Sequence, residues 1–138
     1  MQFGKQSLNS LKGIHPNLVK VMTEAIKNSP IDFTITDGVR TTEMQKALYA
    51  KGRTVKGGIV TNADGVKNKS NHQIKSDGFG HAVDLYPYVN GAIDFNDKEN
   101  RLSIIADHIL STAKKLNIGI TWGGNFKSIL DRPHFELK

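Results

Sequence analysis

The sequence predicts an α+β fold in which a small, mainly antiparallel sheet packs with helices. Three stretches place apolar residues at helical spacing, and four short stretches alternate with period two. The two kinds are not interleaved regularly enough for a parallel, doubly wound sheet. At 138 residues, the chain is long enough to bury roughly 68–70% of its extended surface, so residues 1–138 are expected to form a single domain.

Pro16 opens the first predicted helix, with Leu18, Val19, Met22, Ala25 and Ile26 on one stripe and a stop near Asn28-Ser29-Pro30. Asp32–Thr36 alternates, burying Phe33 and Ile35 and leading into Asp37-Gly38-Val39-Arg40. Thr42 with Gln45 reads as a capping box for a second helix, whose apolar face is Met44, Ala47 and Leu48 and whose end is Gly52. Gly52 to Gly80 has little periodicity, and irregular stretches of that length inside a domain are usually functional. His81–Tyr86 reads as a strand with Val83 and Leu85 on one face, so Asp84 points to the other. Asn96 begins an Asn-x-x-Glu start signal, and Leu102, Ile105, Ala106, Ile109, Leu110, Ala113 and Leu116 follow at helical spacing up to Asn117 and Gly119. Ile118, Ile120 and Trp122 alternate before Gly123-Gly124, and His134–Leu137 forms a last short strand.

The absence of cysteine excludes disulfides, thiolate zinc knots, iron–sulfur clusters and a cysteine nucleophile. Any metal must sit on His, Asp or Glu. No stretch approaches the roughly 18 apolar residues of a membrane span, and the first ten residues lack the apolar core of a signal peptide. Membrane insertion is not expected. A net charge of +6 favours an anionic partner. The basic residues are scattered and match no nucleic-acid-binding motif, so nucleic acid is not the expected partner.

Of the five histidines, His15 precedes a helix-opening proline and His108 lies within an amphipathic helix, both ordinary structural positions. His72, Asp84 and His134 instead sit in irregular chain or at strands, among small and turn-forming residues. Two imidazoles and one carboxylate leave one position open on tetrahedral Zn²⁺, the arrangement of catalytic zinc. A metal so held lowers the pKa of water from 15.7 toward about 7.

Ser70-Asn71-His72, Gly80-His81-Ala82-Val83-Asp84, Trp122-Gly123-Gly124 and Asp131-Arg132-Pro133-His134-Phe135-Glu136-Leu137, with Gly38-Val39-Arg40-Thr41 upstream, resemble the successive motifs of the zinc D-Ala-D-Ala carboxypeptidase/VanY-like peptidases. The nearest branch is the L-alanyl-D-glutamate endopeptidases that bacteriophages use as endolysins. The resemblance runs from about His15-Pro16 to the C-terminus. It implies a Hedgehog/DD-peptidase-like fold, one zinc ion on His72, Asp84 and His134, Asp131 as catalytic acid/base and Arg40 as stabiliser of the oxyanion. A carboxylate beside a metal can move protons between water and a leaving amine, and a fixed guanidinium can neutralise charge on a carbonyl oxygen. Ser70, Tyr86 and Trp122 are the expected substrate contacts.

The chain departs from the family pattern in two places. The connection from His72 to Asp84 is longer than the usual six or so residues, which raises His81 as a competing ligand. In a regular strand His81 and Asp84 would face opposite ways, favouring His72. Asp77, within this insertion, is a turn residue, a group supporting the site or a weak ion ligand. Phe126 stands where the family tends to carry tryptophan. Glu136 either orients a ligand or is solvated, and Phe135 and Leu137 belong to the core.

The resemblance implies a peptidoglycan hydrolase acting on the L-alanyl–D-glutamate bond for phage lysis of a host. Such an enzyme is made in the host cytoplasm, reaches the wall through a holin-type pore, works as a monomer, and has no separate wall-binding domain within this length. A D-Ala-D-Ala carboxypeptidase would use the same residues, and a basic, non-catalytic binding module is the reading from another class.

Overall fold

A computed structural model describes residues Met1–Lys138. In chain order the elements are α1 (Lys5–Ser10), α2 (Pro16–Lys27), β1 (Phe33–Asp37), α3 (Thr42–Ala50), β2 (Ala82–Val89), β3 (Ala92–Ile93), α4 (Arg101–Lys115), β4 (Ile120–Trp122) and β5 (His134–Leu137), with one 3₁₀ turn at Gly123–Asn125. The sheet runs β1-β2-β5-β4 with β3 added to β2, and every pairing is antiparallel. The α+β class follows from this arrangement.

Leu18, Met22 and Ile26 of α2 and Leu102, Ile105 and Ile109 of α4 meet Ile35, Val83, Leu85 and Phe135 of the sheet in one core. Each such side chain stabilises the fold by about 1.5–3 kcal/mol relative to leaving it in water. Strand alternation then decides the rest: with Val83 and Leu85 committed to the core, Asp84 between them projects from the opposite face. That face carries the polar chemistry.

Several local expectations change. The cap of α3 is Thr41, whose side chain accepts from the Met44 amide at 3.1 Å. Gln45 is thereby freed from capping and turns inward, fully buried. The expected apolar face of α3 does not form, since Met44 is 53% exposed and Gln45 is the helix's only buried residue. The last long helix starts at Arg101 rather than near Asn96, because Asn100 adopts a left-handed backbone (φ 53°) and the Asp97 carboxylate accepts from the Leu102 amide. The hairpin of β2 and β3 turns on Asn90-Gly91, both at positive φ, the pair that a two-residue hairpin demands. The short α1, whose Ser7 hydroxyl accepts from the Ile35 amide, carries too few apolar residues for periodicity to show it.

Candidate active site

Three segments deliver the site. Asp84 and His134 are direct register partners across β2 and β5, which places their side chains on one face of the sheet. His72 arrives from the irregular segment. Its amide donates to Ser70 Oγ (3.1 Å), its carbonyl accepts from the Arg40 amide (2.8 Å), and the neighbouring Asn71 carbonyl accepts from His81 N–H (2.7 Å). Gln73 anchors the same turn, accepting from the Ser70 amide and donating to the Gly65 carbonyl. Gly38 is required where the chain leaves β1, since a Cβ there would overlap the Ser10 carbonyl.

His72 Nε2, His134 Nδ1 and Asp84 Oδ1 lie 3.1, 3.3 and 3.5 Å from one another. A tetrahedral ion with arms of about 2.0–2.1 Å needs ligand separations of roughly 3.3 Å. The outer nitrogens are already engaged, His72 Nδ1 with the Gly38 carbonyl at 3.0 Å and His134 Nε2 with Glu136 Oε1 at 2.6 Å. When those nitrogens donate, both inner nitrogens present lone pairs to a carboxylate, and three acceptors face one point. Asp84 Oδ1 is buried there without a hydrogen-bond partner. A cation satisfies all three, so this residue set fits a metal ion. Glu136, itself held by Asn71 Nδ2 at 2.7 Å, fixes the orientation of His134 in the manner of carboxylate–histidine–metal triads.

The charges around this point shift one another. Burial would raise the Asp84 carboxyl, but attraction to the adjacent His134 and His72 imidazoles outweighs it and holds the group well below the usual carboxylate range. Burial opposes the His134 charge, yet the neighbouring Asp84 and Glu136 carboxylates push it up to about 9. Burial, with the charge of Asp84, raises Asp131. Asp131 Oδ2 lies 3.6 Å from His134 Nδ1. Arg40 comes from the other side, with Nη2 3.7 Å from Asp84 Oδ2 and Nη1 donating to Gln45 Oε1 at 2.8 Å. Arg40, His72, Asp84, Asp131, His134 and Glu136 line a cleft of about 530 Å³.

A family model described as phage L-alanyl-D-glutamate peptidase matches residues 1–137. The L-alanyl-D-glutamate peptidase of Escherichia phage T5 is 33% identical over 137 residues, 99% of this chain and 89% of that protein. The chain belongs to the phage L-alanyl-D-glutamate peptidase family. The peptidoglycan L-alanyl-D-glutamate endopeptidase CwlK of Bacillus subtilis is 35% identical over 133 residues, 90% of this chain and 73% of that protein. Among solved structures, the Serratia marcescens L-Ala D-Glu endopeptidase ChiX has the same fold, with a TM-score of 0.72 and 24% identity over 100% of this chain and 90% of that one. The vancomycin resistance D,D-dipeptidase VanXYg, solved with a D-Ala-D-Ala phosphinate analogue, shares it at a TM-score of 0.55 and 19% identity, over 90% of this chain and half of that one.

Within this member of the peptidase family, the structure brings His72, Asp84, His134, Asp131, Arg40, Ser70 and Tyr86 to one cleft. Trp122 lies outside it. Its ring stacks on Phe135 and its indole N–H donates to the Arg132 carbonyl at 2.6 Å, so strand position points it away from the site. Tyr88 is likewise remote, paired with Ile93 in the β2–β3 hairpin. His81 turns from the ligand group to Asp77 Oδ2 at 2.6 Å, and Asp77 also accepts from the Phe79 amide, closing the inserted loop as a turn residue. His15 cannot join them as a metal ligand through Nε2, because its Nδ1 accepts from the Asn17 amide and leaves Nε2 protonated. Phe126 packs its ring 5.5 Å from that of His134, forming part of the cleft wall. Sequence reasoning missed Gln45, whose only signal was a polar residue five positions after Arg40.

Proposed function

We propose that this peptidase hydrolyses the L-alanyl–D-glutamate bond of peptidoglycan stem peptides with one zinc ion on His72, Asp84 and His134, and that it serves phage lysis of a host wall. The observation that carries the reading is the convergence of three acceptors on one point beside Asp131 and Arg40. The family's descriptions and the names of two relatives supply the bond.

Zinc at this site would supply a Lewis acid and make water a better nucleophile near neutral pH. Asp131, whose burial raises its pKa, is suited to take a proton from the attacking water and return one to the departing amine. The carbon–nitrogen bond breaks as a new carboxylate forms on the alanyl side. Arg40, held by Gln45, faces the same space and balances negative charge on the carbonyl oxygen. The positive surface favours approach to an anionic wall, an attraction that salt screens. No helix is long and apolar enough to cross a membrane, and the proposed route to the wall is a pore made by a second, holin-type protein.

The test is digestion of purified peptidoglycan with and without chelator, with the new chain ends identified by mass spectrometry. Chelator-sensitive release of stem peptides beginning at D-glutamate, restored by zinc, is the expected result. Loss of terminal D-alanine alone would move the assignment to a D-Ala-D-Ala carboxypeptidase. No cleavage by folded, zinc-loaded protein would leave a binding module.

A further inference from the structure

The cleft contains a cation that the proposed chemistry does not use. Its lining carries three carboxylates, Asp84, Asp131 and Glu136, and two cations, Arg40 and Lys69. Arg40 is committed to Gln45 and Asp84. Lys69 is exposed and enters none of the molecule's ion pairs. It is nonetheless firmly placed. The next residue, Ser70, bonds both the His72 amide and Gln73, and Gln73 is tied to Gly65. Three residues of chain span at most about 10 Å, so the Lys69 stem starts close to the metal ligands and can reach across the cleft mouth.

A glutamate whose amine is acylated has two carboxyl groups and needs only one to continue the chain. The other is a free carboxylate, two to four bonds from the nitrogen that leaves. With the proposed zinc on Asp84, Glu136 engaged by His134 and Asn71, and Arg40 taken by Gln45 and Asp84, such a group still faces Asp131 and needs a cation of its own. We propose that Lys69 is a specificity-determining residue that binds this free carboxylate of the D-glutamyl residue on the leaving side of the bond. The inference rests on the L-alanyl–D-glutamate reading above and adds to it the group by which the enzyme distinguishes D-glutamate from its amide.

The experiment uses zinc-loaded enzyme and two stem peptides identical except that the glutamyl carboxyl is free in one and amidated in the other. The parent enzyme is expected to prefer the free acid by roughly tenfold in kcat/KM, expressed mainly in KM. Lys69→Met and Lys69→Gln bring the acid-to-amide ratio toward one, Lys69→Arg keeps most of it, and raising salt lowers it in the parent. A parent that cuts both peptides equally, or a Lys69→Met variant that keeps the parent's ratio, overturns the proposal while leaving the bond assignment standing. Failure of the parent to cut either peptide between alanine and glutamate overturns the assignment and the subsite together.

Discussion

His134 stands directly opposite Asp84 in the antiparallel register of β2 and β5, with Nδ1 3.5 Å from Oδ1. A register pair is a rigid way to hold two side chains at one point, because moving one requires sliding a strand whose other face is core. His72, from the irregular segment, is the third member, held by Ser70 Oγ, the Arg40 amide and the Gly38 carbonyl.

Replacing His72 or His134 by Ala is expected to remove most of the bound zinc, measured by elemental analysis, while far-UV circular dichroism is retained. The packed core lies on the opposite side of the sheet from the ligands. Chelation of the parent should lower its melting temperature without unfolding it, since an ion that binds only the native state stabilises by mass action.

Asp131→Asn is expected to keep metal content and fold but lose roughly 10²–10⁴-fold in kcat, the usual range for a removed acid/base. Steady-state kinetics beside zinc quantification checks this. A variant with unchanged turnover would remove Asp131 from the proton path.

Gln45 is a positioning residue. Besides Arg40 it bonds the Ala63 carbonyl at 2.8 Å and Thr61 Oγ1 at 3.3 Å, joining the Arg40 guanidinium to the irregular segment. Gln45→Ala should lower kcat by roughly 10–100-fold with a smaller change in KM, a split that separates loss of Arg40 alignment from loss of substrate binding.

Gly123→Ala should disturb the turn that presents Asp131. The Asp131 amide donates to the Gly123 carbonyl at 3.0 Å, and an added Cβ would overlap the Asp131 carbonyl and crowd His134 Cβ. Overpacking of this kind costs about 1–3 kcal/mol, to be read from denaturant unfolding alongside a drop in activity.

The irregular segment should loosen in acid. Asp64 Oδ1 accepts from the amides of Val66, Lys67 and Asn68, and the bonds from Val66 and Asn68 lead in holding its carboxyl below the ordinary 3.8. A lowered carboxyl stabilises fully above its unfolded value and loses that contribution as pH falls through the folded one. The stability gap between the parent and Asp64→Ala is therefore expected to stay constant above about pH 5 and close in stronger acid, as followed by thermal melts across pH.

The sequence by itself determined the core and the residue types of the candidate site. The apolar stripes at Leu18–Ile26 and Leu102–Ala113 and the alternation around Val83 and Leu85 are local periodicities, and hydrophobic burial acts on them directly wherever the chain goes. The same alternation already turned Asp84 from the core, and the order of short motifs already carried the family. What the tertiary structure alone decided are relationships between residues far apart in the chain. Strand register set Asp84 against His134, Gln45 was drawn inward to Arg40 and the irregular segment, Trp122 was turned onto Phe135 and out of the cleft, and the inserted loop folded its His81 back onto Asp77. None of these has a local signature, because each depends on which backbone groups and charges long-range pairing leaves unsatisfied. A buried polar side chain such as Gln45 goes where its hydrogen bonds are, and only the folded chain decides where that is.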